Sequence, residues 1–227
     1  RIDPTGRFHY SGCMTDDELV EIDTRKFAVS RRFSVAKGKE KPLPPNDRGE
    51  MAQHLDLPDD DKGPEIDPAD VGHGGMRHQM TPSTCSPTWA QPSVDGKSVF
   101  VACNKSDEIS REQWAVTRRF PTGRGVYNLA VTPDGKLLVA TLKQGAGVEI
   151  FDIAGGKSLG RLKTSTTVAH GVAITADSKY AFISVEGVGG DPGKVDVIDL
   201  TAIATVGSVD VGKQASGIAF WKMEPAG

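Results

Sequence analysis

The sequence predicts an all-β fold, a β-propeller of four-stranded antiparallel blades, and three observations carry that prediction. Turn signals recur at near-constant spacing, short apolar strands flank each of them, and no long segment follows a helical period. The turns read Val94-Asp95-Gly96-Lys97, Pro133-Asp134-Gly135-Lys136 and Ala176-Asp177-Ser178-Lys179, with a weaker copy at Pro4-Thr5-Gly6-Arg7. Asp95, Asp134 and Asp177 lie 39 and 43 residues apart, the length of one propeller blade.

Each copy repeats the same order. An apolar strand precedes the turn, as in Leu129-Ala130-Val131 and Val172-Ala173-Ile174. A second follows it, as in Leu137-Leu138-Val139-Ala140 and Tyr180-Ala181-Phe182-Ile183. Asp-Gly supplies the positive-φ positions of the tight hairpin between them. A third strand ends in Asp: Leu19 to Asp23, Val148 to Asp152 and Val195 to Asp199. Its alternation of apolar and polar residues suits a half-buried strand. A fourth closes the blade at Val29 to Phe33 and Val116 to Phe120. Blade two is about three residues short after Asp107, so its third strand is doubtful. Ile2 aligns with Val131, which leaves the first blade only the end of its innermost strand. Ser216 to Phe220 aligns with His170 to Ile174, so this tail is expected to join the N-terminal blade as its missing innermost strand. The four repeats read as one domain, 1–227, expected to be the C-terminal part of a larger, seven-bladed propeller. A closed four-blade ring and a dimer pooling blades are the alternatives.

Composition excludes several classes. With 27 basic and 30 acidic residues the net charge is −3, which gives no reason to expect nucleic acid as a partner. No apolar run has the length of a membrane span. There is no Gly-rich phosphate loop, no Gly-x-Ser-x-Gly elbow, no His-Glu-x-x-His and no Cys-x-x-Cys-His haem attachment. The first residues do not read as a signal peptide. Trp89, Trp114 and Trp221 read as packing, and the pairs Arg31-Arg32 and Arg118-Arg119 as solvated or ion-paired.

Residues 36–85 interrupt the repeat between blades one and two. This Pro-rich, acidic segment is expected to be a long inserted loop with little core of its own. Asp59-Asp60-Asp61 within it reads as solvated surface, because it lacks the spacing of a calcium loop. The segment ends in Gly72-His73-Gly74-Gly75-Met76-Arg77-His78-Gln79-Met80, followed by Cys85. Cys13 and Cys103 each lie seven residues after their turn glycine, and Cys85 stands opposite Cys103 across the hairpin. His170, Tyr127 and Thr88 occupy equivalent positions at the start of innermost strands. Blade topology puts Cys13, Met14, Cys85, Cys103, Tyr127, His170 and the loop on one face. Thiolate, thioether and imidazole together suit copper, Cu(I) above all. His73, Met76, His78, Met80, Cys13, Cys85, Cys103 and His170 are therefore the candidate metal ligands. The competing reading is a structural Cys85–Cys103 disulfide, with Cys13 left as the odd thiol.

The Pro-Asp-Gly-Lys turn, the apolar strand after it and the Val-x-Val-Ile-Asp strand resemble the YVTN-type β-propeller repeat. The resemblance covers residues 1–35 and 86–222. It implies an exported, periplasmic or secreted protein, and it specifies fold far better than function. Propellers of similar architecture include the haem propeller of cytochrome d1 and the copper propeller of nitrous oxide reductase. The expectation is a binding scaffold that holds a protein partner or small ligand on one propeller face. The rival is a periplasmic oxidoreductase with a metal or haem on that face.

Overall fold

The computed structural model describes residues 1–44 and 82–223, and among these every regular element is a strand. Sixteen strands form four antiparallel sheets of four. Blade one holds β1 (Phe8–Cys13), β2 (Glu18–Asp23), β3 (Ala28–Ser34) and β4 (Lys41–Leu43). Blade two holds β5 (Pro87–Pro92), β6 (Val99–Cys103), β7 (Glu108–Glu112) and β8 (Val116–Pro121). Blade three holds β9 (Val126–Val131), β10 (Leu137–Leu142), β11 (Gly147–Asp152) and β12 (Lys157–Lys163). Blade four holds β13 (Val168–Ile174), β14 (Tyr180–Glu186), β15 (Lys194–Asp199) and β16 (Ala204–Asp210). Each blade is a meander, and its innermost strand packs beside that of the next, β5 on β9 and β9 on β13.

The turns explain why the hairpins form where they do. Gly96 and Gly135 take φ of 68° and 73°, as Asp-Gly predicts, and Ser178 takes 63°. In three blades a hydroxyl two residues ahead of the Asp donates to it at 2.6 Å: Ser93 to Asp95, Thr132 to Asp134 and Thr175 to Asp177. The same hydroxyl accepts the N–H that opens the next strand, as Thr132 Oγ1 does from Leu137 at 2.9 Å. Blade one exchanges the two residues. Asp3 takes the first place, accepting from the Thr5 hydroxyl at 2.5 Å and from Phe8 N–H at 2.8 Å.

The core lies between blades. Phe100, Ile109 and Phe120 of blade two pack against Leu129, Leu138, Leu142 and Phe151 of blade three, all at most 1% exposed. Phe120 meets Phe100 and Phe151 edge-on, with ring centroids 6.1 and 5.8 Å apart. Val139, Val148 and Ile150 of blade three pack in the same way against Ala181, Ile183, Val185 and Ile198 of blade four.

Three sequence expectations need correction. The doubtful third strand of blade two exists: β7 pairs with β6 from Cys103↔Glu108 to Val99↔Glu112. Blade one gains a fourth strand at its outer edge, because Lys41–Leu43, inside the segment read as a bare loop, pairs with β3. The tail does not complete blade one. Ile2 makes a single bridge to His9, and Ser216 to Phe220 runs beside β13 without a ladder partner among the described residues.

Candidate functional site at the axial face

Antiparallel pairing brings the start of each first strand and the end of each second strand to one end of the sheets, as in Pro87↔Cys103, Val126↔Leu142 and Val168↔Glu186. The segment between blades one and two leaves and returns at this end. Its return is anchored by Asp17, which stands in the β1–β2 turn at φ 53° and is 5% exposed. The Asp17 carboxylate accepts from Ser83 Oγ at 2.5 Å, Thr84 N–H at 2.6 Å, Cys85 N–H at 3.2 Å and Ser86 N–H at 2.7 Å. Burial works to raise its pKa, but these hydrogen bonds outweigh burial and hold the carboxyl below its ordinary value. Asp107, its counterpart in blade two, accepts the Gly125 N–H of blade three at 2.6 Å.

Cys85 and Cys103 form a disulfide, with Cα atoms 4.4 Å apart. Both residues are buried against Tyr10, Leu19 and Phe33 of blade one. The copper reading needs them as thiolates, and a disulfide sulfur carries no thiolate charge, so the pair enters that reading only after reduction. Cys13 is not part of the disulfide. Tyr10 packs against blade two, and Gly12 faces Pro87 so closely that a Cβ there would lie 2.7 Å from the Pro87 carbonyl oxygen. The β1–β2 register has no shift, so strand alternation turns Cys13 to the opposite face of blade one, away from the disulfide.

His170 stands at the boundary of blades three and four. Its Nδ1 is 3.2 Å from the Ser216 carbonyl oxygen, which can only accept, so Nδ1 carries the hydrogen. Its Nε2 lies 3.4 Å from Glu186 Oε1. Lys143 Nζ lies 3.6 Å from the same oxygen and 4.7 Å from the centroid of the Tyr127 ring. Tyr127 and His170 have ring centroids 4.8 Å apart. The four side chains form a half-exposed polar patch with an ammonium, a carboxylate, an imidazole and a phenol. Such a patch can exchange protons and donate or accept hydrogen bonds to a ligand spanning the blade boundary.

The sequence singled out His170 and Tyr127 but missed Lys143 and Glu186. A signal existed: Met14, Asn104, Lys143 and Glu186 each lie eight residues after their turn residue, one place beyond the Cys13 and Cys103 position.

The patch is a poor copper site by itself. It offers one imidazole nitrogen and no sulfur, and the Lys143 ammonium opposes a second cation. Among the described residues, no group of three or more His, Cys, Asp or Glu is arranged to hold a metal ion. His73, Met76, His78 and Met80 lie outside the described residues. No described helix is long and apolar enough to cross a membrane.

No protein-family model and no curated protein matches the chain. A chain of the Kuenenia stuttgartiensis hydrazine synthase has a similar structure, with a TM-score of 0.67 at 15% identity. The match covers 93% of this chain and 48% of that one, so this chain spans about half the length of that neighbour. The likeness and the four meandering sheets together establish a propeller-type fold.

Proposed function

We propose that the chain is an exported YVTN-type propeller scaffold whose axial face binds a protein partner or small ligand. The observation that carries the reading is the convergence of Tyr127, Lys143, His170 and Glu186 across a blade boundary, on the face where the inserted segment leaves and returns. The Cys85–Cys103 disulfide supports an oxidising compartment, periplasmic or extracellular. The turns and strands quoted above support the YVTN assignment.

Copper remains part of this proposal in narrower form. Its ligands are drawn from His73, Met76, His78 and Met80, joined by His170 or by Cys13. Titrating metal-free protein with Cu(I) tests this part. Stoichiometric binding that disappears in His73→Ala with His78→Ala supports it, and no binding removes it. The scaffold itself is tested by a photo-crosslinking residue placed at Lys143 or, as a control, at Leu159 on the outer rim. Adducts formed in the native compartment at Lys143 and not at Leu159 support the axial face; equal or no adducts at both overturn it.

The second reading is an oxidoreductase, favoured by the likeness to a chain of an enzyme, hydrazine synthase. A visible or EPR signal in natively purified protein that changes with an added reductant would select it.

A further inference from the structure

Each blade presents one apolar face to its successor, and the same positions build it. The facing pair is Leu19↔Phe33 on β2 and β3 in blade one, Ile109↔Phe120 on β7 and β8 in blade two and Val148↔Leu162 on β11 and β12 in blade three. In the strand before that pair the facing residue is Tyr10, Phe100 or Val139. A following blade covers each set: Phe33 is 1% exposed, and Phe100, Phe120, Val139 and Val148 are 0% exposed. Blade four carries the same set in the same register. Its pair is Val195↔Val209, with Phe182 in the second strand and Val197 beside it. Here the set is only partly covered: Phe182, Val195 and Val197 are part-buried, and Val209 is 60% exposed.

A second observation concerns the tail. At the boundary of blades three and four, the Thr141 hydroxyl donates to the His170 carbonyl at 2.9 Å. One blade further on, the equivalent Ser184 hydroxyl donates to the Ser216 carbonyl at 2.6 Å. Ser216 thus occupies the place of His170 in the next repeat. The residues after it, up to Met223, have no ladder partner among the described residues. Phe220 lines a pocket with Arg1, Gln91, Ala130 and Ile174.

We propose that the outward face of blade four is a docking surface for a further antiparallel sheet, whose other strands are supplied by the same polypeptide outside these 227 residues. That sheet takes residues 216–221 as its innermost strand and covers Phe182, Val195, Val197 and Val209. A source in cis is favoured by continuity with three identical interfaces and by the match to a chain of about twice the length. A second copy of this chain fits poorly, because the opposite face of blade one offers His9, Ser11 and Cys13 where blade four offers Ala181, Ile183 and Val185 to blade three.

The test is thiol protection in the full natural polypeptide carrying Cys13→Ser. Val209→Cys places a probe on the face, and Leu159→Cys places one on the outer rim as the exposed control. A maleimide should modify the residue-209 probe at least about tenfold more slowly than the residue-159 probe, at every protein concentration, as expected of a site reached only by local opening. Equal rates overturn the proposal. Protection that is lost on dilution, together with a dimer in light scattering, also overturns it and assigns the face to a second copy.

Discussion

Asp17 belongs to blade one, yet its carboxylate accepts the backbone N–H of Ser86 at the entrance to blade two, 2.7 Å away. The contact ties sequential distance to spatial order, because the two residues are 69 positions apart and the whole inserted segment lies between them. Removing the carboxylate leaves several buried N–H groups without an acceptor. Asp17→Ala should therefore destabilise the protein by about 2–4 kcal/mol in urea unfolding, with the largest loss of amide protection at residues 83–86.

Acid should act on the same contact. The Asp17 and Glu21 carboxyls are held below their ordinary values. Burial opposes this in both, but it is outweighed at Asp17 by Ser83 and the 84–86 amides, and at Glu21 by Arg31, Ser30 and Tyr10. A lowered folded-state pKa gives stability that is present above the ordinary carboxylate range and lost as pH falls through the folded value. The melting temperature should thus hold near neutrality and fall below about pH 4. Asp17→Asn should be less stable at pH 7 and should lose less between pH 5 and pH 3.

The disulfide closes a loop of 18 residues around the first hairpin of blade two. Cys85→Ala with Cys103→Ala should cost about 3 kcal/mol, read as a lower denaturant midpoint for the variant and for reduced wild type alike. Equal midpoints with and without reductant would show that the bridge does not contribute.

Phe120 carries two edge-on ring contacts at the boundary of blades two and three. Phe120→Ala should cost about 3–5 kcal/mol. Phe27 at the rim is 89% exposed, and Phe27→Ala should lie within about 0.5 kcal/mol of wild type.

Sequence reading succeeds here where a local rule fixes the outcome. Asp95-Gly96 and Asp134-Gly135 specify hairpins through their own backbone preferences, and counting from those turns brings Cys85 near Cys103, although the register shift between Pro87 and Trp89 puts Pro87, not Cys85, directly opposite Cys103. Failures arise where partners from elsewhere decide. Glu108 and Ile109 lack the usual strand motif, yet pairing with Cys103 and Ala102 and an ion pair from Glu108 to Arg119 at 2.6 Å make them a strand. Lys41–Leu43 has weak strand character and pairs because the edge of β3 lies open to it. Cys13 was placed on the correct face by counting, but counting is blind to which way the pleat turns its side chain. The Lys143–Glu186 contact joins two blades, so neither residue stands out within its own repeat.

The hydrogen bond from Lys37 N–H to Thr84 Oγ1, 2.9 Å long, joins the two stems of the inserted segment before the chain departs from the blades. Asp17 holds the returning stem through Ser83 and the backbone N–H groups of residues 84–86. Because both stems are fixed to the blades, the chain joining them is a place to test changes of length. In a flexible Gly/Ser replacement, doubling the number of residues costs only about 0.6 kcal/mol. For an engineer this is a ready insertion point for a reporter or an affinity handle. For evolution it is the stretch where new recognition can be tried without rebuilding the propeller.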